Sequence, residues 1–205
     1  LKQPEKRGDL RTIFKKESDF VDYYQVNLRA LSDKERFWIL SAETIMKRGK
    51  LIGYITGVAI YNQLGLTTQV SNVVEIGRNN FRPSLKRDRY KVIFTAQKNI
   101  ITKKNIPQLQ LLDAIRNLKK IPDTTTDAAC NRIISLITSL NDKEQERLLK
   151  LALNYNPATR ALLGAIFELL NKNTSALKRT LNPITKYRFG VSKKVLPTLK
   201  NWNIE

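Results

Sequence analysis

The side chains of this 205-residue chain with most chemistry to offer are cations. Arg78, Arg82, Lys86, Arg87 and Arg89 stand within twelve residues of one another against a single acid, Asp88, and Lys91 follows. Phe81 sits among Arg78, Arg82 and Lys86, Tyr90 lies between Arg89 and Lys91, and in the tail Tyr187 and Phe189 flank Arg188. Guanidinium and ammonium groups hold phosphate oxygens, and rings interleaved with them stack on bases. The candidate nucleic-acid contacts are therefore Arg78, Arg82, Lys86, Arg87, Arg89 and Lys91. Two alternatives stand beside this: a solvated loop without a partner, and aromatics that serve as core anchors of strands, which is the expectation for the rings. Contacts of this kind position a protein on a backbone without reading its sequence.

Other chemistry is poorly represented. There is no histidine and one cysteine, Cys130, which removes disulfide frameworks, the usual zinc sites and His-based catalysis. Cys130 falls in a helical pattern and reads as a small core residue. Gly53 and Gly57 have the wrong spacing for a phosphate loop and no Lys-Ser/Thr behind them. Asp88, Asp113 and Asp123 stand in unrelated contexts and no Asp-x-Asp exists, so a general base would have to be one of these acids or a perturbed lysine. The reading is no catalytic residue, no metal and no cofactor.

Lys and Arg number 37 against 18 Asp and Glu, a net charge of +19. The surplus is uneven. Residues 51–104 carry 9 basic and 2 acidic side chains and residues 172–205 carry 8 and 1, whereas residues 105–171 between them carry 8 and 7. Two basic blocks flank a nearly neutral region, a distribution that favours polyanionic partners over a generic basic surface. No apolar run approaches the roughly 18 residues of a membrane span. The start, Leu1-Lys2-Gln3-Pro4, is polar and stays polar, unlike a signal peptide. A cytoplasmic protein without a membrane partner is expected.

The elements that must position the cations follow from patterning. Residues 10–14 and 20–24 read as strands or an extended arm. Ser32 and Glu35 form a capping box for a helix carrying Phe37, Trp38, Leu40, Ile45 and Met46 on its buried side and stopping near Gly49. Residues 51–70, LIGYITGVAIYNQLGLTTQV, are almost uncharged; they read as a buried helix with one polar edge, capped by Thr56 and stopped by Gly65, with Thr67-Thr68-Gln69 turning toward a strand. Residues 73–77 and 90–95 read as antiparallel strands holding the basic loop between them. Four helices follow, entered at Pro107, at Asp123 or a nearby Thr, at Asn141 and at Asn156-Pro157. The tail, with Pro183, Pro197 and Trp202, reads as docked on the domain.

The run Gly53-Tyr54-Ile55-Thr56-Gly57, then Tyr61-Asn62-Gln63-Leu64-Gly65-Leu66-Thr67-Thr68-Gln69-Val70, resembles the AbiEi-type abortive-infection antitoxins of type IV toxin–antitoxin systems. The resemblance continues through the basic hairpin near Arg82–Tyr90, Ile106-Pro107, Ile121-Pro122-Asp123-Thr124-Thr125, Thr159-Arg160-Ala161-Leu162-Leu163-Gly164-Ala165 and Leu181-Asn182-Pro183-Ile184-Thr185-Lys186-Tyr187, covering roughly residues 45–205. It implies a bacterial phage-defence antitoxin and transcriptional regulator. It also implies a cognate nucleotidyltransferase-like toxin that is opposed functionally, without need of a stable complex. Gly53, Thr56, Gly57, Gln63, Gly65, Thr68 and Gln69 are the family-motif positions, with a structural role. Residues 1–44 are too short for the N-terminal winged helix such antitoxins normally carry, and the chain starts at Leu1, so the expectation is a chain that begins after that domain or a member that lacks it.

The expected fold is α+β: a small, mostly antiparallel sheet packed on a C-terminal four-helix region with a docked basic tail. Its parts are an N-terminal arm and capped helix (1–50), the sheet with its basic hairpin (51–104), the helical region (105–171) and the tail (172–205), together one compact domain. The expected function is a non-enzymatic antitoxin and regulator module that binds nucleic acid, DNA foremost. The alternatives are a nucleotidyltransferase-like enzyme acting on nucleic acid, or an interaction module for an acidic protein.

Overall fold

Apolar periodicity switches from two to near four residues at about residue 105, and the architecture switches with it. The computed structural model describes residues 40–41, 44–87 and 90–205. The expected strands or arm before residue 25, the Ser32–Glu35 capping box, Phe37 and Trp38 lie outside the described residues.

Leu40, Ser41, Thr44 and Ile45 are helical, but the helix does not run on to Gly49. Met46–Lys47 (β1) and Lys50–Leu51 (β2) form a tight antiparallel hairpin instead. Its two central residues, Arg48 and Gly49, have φ of 49° and 72°. Positive φ at both positions gives a turn whose twist matches that of the strands, and an Arg-Gly pair was readable as a helix stop only because glycine serves both purposes. Met46 thus belongs to a strand rather than to a helix face.

Among the described residues the sheet has four strands in the order β3-β4-β6-β5, with Gly53–Thr56 as β3, Val73–Arg78 as β4, Leu85–Arg87 as β5 and Tyr90–Ala96 as β6. β3 pairs antiparallel with β4, and β5 antiparallel with β6. The central pair, β4 and β6, is parallel, against the expectation for residues 73–77 and 90–95. The reason lies in the connection. Residues 79–84 pass the end of β6 and feed an edge strand, β5, which then turns back into β6, so the segment read as one basic loop contains a strand of its own.

Leu51 and Gly53–Thr56 are strand, and only Val58–Gln63 forms a helix (α1). Gly57 is its N-cap, with φ 74°, and a side chain there would run into the Glu75 carboxylate. Thr56 does not cap it. Gly65, with φ 70°, ends the turn after it, as expected.

The helical region comprises Ile106–Arg116 (α2), Thr126–Thr138 (α3), Asp142–Ala152 (α4) and Pro157–Leu169 (α5), with the short Ser175–Lys178 (α6) beyond. Thr125, Asn141 and Asn156 each accept a backbone N–H at a helix start, and Asn141 with Glu144 closes a capping box. Each such cap is worth about 1 kcal/mol. α5 is buried continuously from Ala161 to Phe167, which fits its apolar sequence and makes it the central helix. Cys130 is buried, and burial pushes its thiol up to about 12.

The tail docks, as its aromatics required. Pro197–Trp202 forms a 3-10 helix against α5, and Trp202 is 2% exposed with its indole N–H donating to Glu168 Oε2 at 2.5 Å. Tyr187 pairs with Ile204 in a parallel bridge closed by the Tyr187 and Glu205 amides. Two cores result. The larger joins the helices, the tail, Tyr54, Tyr61 and Leu66; the smaller lies on the other face of the sheet and joins Leu40, Ile55, Ile60, Val74, Ile76, Tyr90 and Val92. Among the described residues no helix is long and apolar enough to cross a membrane.

Candidate nucleic-acid interface

Side chains alternate between the two faces of a strand, and this splits the predicted basic cluster. Arg78 shares its face with Val74, Ile76 and, through register, Phe94. Its guanidinium lies 5.5 Å from the Phe94 ring centroid, and that of Arg82 lies 5.1 Å from the same ring. Two cations thus share one aromatic ring. The Nε and Nη1 atoms of Arg78 are buried without a hydrogen-bond partner, and among the described residues no carboxylate pairs with Arg78 or Arg82.

Lys86 and Lys91 belong to the opposite face and the opposite end of the sheet. They are direct cross-strand partners on β5 and β6, and both are exposed. Residues opposite one another in an antiparallel pair have Cβ atoms about 5 Å apart, and like charges there repel. The Arg87 backbone pairs with Tyr90; the Arg87 side chain and the whole of Arg89 lie outside the described residues. The four predicted contacts whose side chains are described therefore form no single patch: Arg78 and Arg82 gather at the Phe94 ring, and Lys86 and Lys91 lie at the other end and face of the sheet.

The connection carrying Arg82 is held to the backbone of the neighbouring strand end by its own Asn79 side chain. Asn79 Nδ2 donates to the carbonyls of Gln97 (2.7 Å) and Asn99 (2.8 Å), and the Gln97 amide returns a bond to the Arg78 carbonyl. Phe81, at the outer point of this connection, is 94% exposed. The expectation that the aromatics are core anchors holds for Tyr90, Tyr187 and Phe189, which are buried, and fails for Phe81. Phe81 lies outside the strands, where no pleat turns its side chain inward.

Sequence reasoning missed a second basic hairpin. Lys47 faces Lys50 across the Arg48-Gly49 turn, and all four residues are exposed. Leu51 precedes by two residues Gly53, whose register partner is Arg78, so this hairpin leaves the sheet at the Arg78 end. The available signal was Arg-Gly between lysines, flanked by Met46 and Leu51.

Sequence reasoning also overlooked the part that Asp113 plays. It is 1% exposed and joins the sheet to the bundle. Its Oδ2 accepts the hydroxyls of Tyr54 (2.7 Å) and Thr56 (2.8 Å); its Oδ1 accepts the Tyr155 hydroxyl (2.9 Å) and lies 3.0 Å from Arg116 Nη2. Gln97 Nε2 donates to both Tyr54 and Tyr155, while its Oε1 accepts the amide and the side-chain nitrogen of Asn99. Burial, with the Asp113 charge next in weight, pushes the Tyr54 and Tyr155 phenols well above their usual range. Burial likewise raises Tyr61, whose hydroxyl donates to the Asp113 carbonyl, and the Glu75 carboxyl. A carboxylate has about four acceptor directions, and all those of Asp113 are taken by the protein. The cluster offers no lone pair to a substrate; what it does is fix strand β3 and the Gln97–Asn99 turn on α2. One sequence signal marked it: an acid inside the apolar run Leu111-Leu112-Asp113-Ala114-Ile115.

The motif positions all sit at turns and close approaches. A Cβ on Gly53 would lie 2.9 Å from Ile76 Cγ2, Thr56 bonds Asp113, Gly57 and Gly65 have positive φ, and the Arg132 guanidinium lies over Gly65. Gln63 ends α1. The Gln69 amide bonds the Thr67 hydroxyl and its carbonyl accepts Asn62 Nδ2, turning the chain around exposed Thr68. Among the described residues no group of three or more acidic or thiol side chains is placed to hold a metal ion. Comparison with known proteins finds no matching family model, curated protein or solved structure.

Proposed function

We propose that this chain is the antitoxin and transcriptional-regulator module of a type IV toxin–antitoxin system. In this reading it is a non-enzymatic bacterial protein of the cytoplasm that meets nucleic acid, DNA foremost, along the β5–β6 rim. The observation that carries the nucleic-acid reading is the Lys86–Lys91 cross-strand pair. Two lysines directly opposite destabilise a hairpin, and a line of phosphates removes that penalty by supplying the missing counter-charge. The Lys47–Lys50 pair repeats the arrangement, and the net charge of +19 gives the long-range attraction. The non-enzymatic reading rests on Asp113, the most buried acid described, having no free acceptor direction. The antitoxin reading rests on the resemblance of residues 45–205, and its toxin partner is a nucleotidyltransferase-like protein opposed in its effect.

The test is anisotropy titration of a labelled duplex and a labelled single strand between about 50 and 200 mM salt. The K86E/K91E double variant is expected to weaken binding and to lower the log–log salt slope by about two phosphate contacts. Unchanged affinity in that variant, or no binding at low salt, overturns the nucleic-acid reading. Co-expression with a nucleotidyltransferase-like toxin encoded beside it tests the antitoxin reading through growth, with unrelieved arrest as the overturning result.

A further inference from the structure

We infer that the 79–84 connection is a stacking platform for an unpaired base, with Phe81 as the stacking ring, so that the nucleic acid taken at the Arg78 end of the sheet is single-stranded or locally unpaired. This rests on the nucleic-acid reading above and goes on to name the strand state of the ligand.

Phe81 is 94% exposed, whereas the other described aromatics pack in or against the two cores formed among the described residues. Its surroundings are fixed. Asn79 ties one side of the connection to Gln97 and Asn99, and Arg82 lies over Phe94 on the other. Pro83 has its own φ fixed by its ring and biases Arg82 before it toward extended backbone. An exposed ring on an anchored stretch of backbone has less freedom to lose when a flat partner covers it. The charges say what that partner is. Arg78 and Arg82 bracket Phe81 in sequence and crowd the Phe94 ring with no described carboxylate paired to them, and the Lys47-Arg48-Gly49-Lys50 hairpin leaves the sheet at the same end. A flat apolar face framed by anions is the chemistry of an unpaired nucleotide.

A paired duplex does not satisfy this site. Its bases cover each other's faces and present only edges to the grooves. A lipid surface fits worse, because membrane-entering loops and helices present several apolar side chains together, whereas Asn79-Asn80-Phe81-Arg82-Pro83-Ser84 carries one large apolar side chain.

Three variants at Phe81 separate these cases, and all are expected to fold because the side chain is exposed. F81A and F81L should weaken binding of an oligothymidylate by about five- to a hundredfold, the range for loss of one base stack, with duplex affinity unchanged. F81W should restore single-strand binding, and its added tryptophan emission should be quenched on saturation. The inference is overturned if F81L binds the single strand as well as F81, since leucine keeps the apolar area and loses the π face. It is also overturned if F81A weakens duplex and single strand alike, or if the Phe81 dependence shows only with phosphatidylcholine–phosphatidylserine vesicles. In each of these cases a K86E/K91E effect on nucleic acid leaves the broader reading standing; absence of that effect as well removes both.

Discussion

Tyr54 donates its phenolic proton to Asp113 at 2.7 Å, across 59 residues of chain, and so joins the first strand of the sheet to the first long helix of the bundle. Thr56, Tyr155 and Arg116 converge on the same carboxylate. Gln97 then relays the network to Asn99, whose carbonyl, with that of Gln97, receives Asn79. The rim that carries the cations is therefore referenced to the bundle through hydrogen bonds, not only through apolar packing.

Replacing Asp113 by alanine removes the acceptor for three buried hydroxyls and the counter-ion of Arg116. Breaking a buried pair on one side costs about 3 to 5 kcal/mol, and the stranded hydroxyls add to it. D113A should lower the urea midpoint by a large fraction of total stability. It should do so far more than D123A, whose carboxylate is not part of this network. Equal midpoints for the two variants would show that the network contributes nothing net.

The helical half was legible from its caps: Thr125, Asn141 and Asn156 are short polar side chains placed before amphipathic runs, and local chemistry of that kind acts within one turn. The tail was legible from Trp202, too large to be left in water at a docked end. The pairing of β4 with β6 was not, because parallel or antiparallel order depends on where a connection travels rather than on what its strands contain. Asp113 was overlooked for the same reason. Its partners Tyr54, Thr56 and Tyr155 lie 42 to 59 residues away, and no local pattern brings them together. The basic residues were found as a sequence cluster, but the alternation of strand faces separates Arg78 from Lys86 and Lys91 and brings in Lys47 and Lys50 from a hairpin that read as a helix end.

Stability should fall on the alkaline side. The folded-state pKa values of Tyr54, Tyr61 and Tyr155 are raised by burial above the ordinary phenol value near 10, and that of Cys130 from 9.0 to about 12. A raised folded pKa leaves its contribution complete below the unfolded value and removes it as pH climbs toward the folded one. Loss should begin near pH 9 with Cys130 and steepen above about pH 10, each phenol adding about 1.4 kcal/mol per pH unit. Urea midpoints measured from neutral to alkaline pH check this, and a flat profile above pH 10 would contradict the burial of the three phenols.

Gly164 faces the Trp202 ring, and a Cβ at that position would overlap it. The ring cannot swing aside cheaply, since its indole N–H is bonded to Glu168 and Thr198 bonds the Ala165 carbonyl beside it. G164A should cost about 1 to 3 kcal/mol through overpacking, even though alanine favours helix over glycine by about 1 kcal/mol. Tryptophan emission should shift to the red as the tail lifts. A G164A protein with unchanged emission and a raised melting temperature would show that the tail is not seated on α5.

The Lys86–Lys91 pair gives opposite signs for stability and for binding, which is what separates a functional charge from an accidental one. In K86E the new glutamate faces Lys91 across β5 and β6. Exchanging a like pair for an opposite pair should stabilise the hairpin by about 0.2 to 1 kcal/mol, raising the melting temperature at low salt and less so at high salt, where exposed charges are screened. The same change should weaken nucleic-acid binding, because one phosphate contact becomes a repulsion. K91E should behave alike, and the exchanged pair K86E/K91E should lose both the stability gain and the binding. A variant that gains stability while binding as before would mean that the rim meets no phosphate at this point and that the paired lysines are only a tolerated cost of the hairpin.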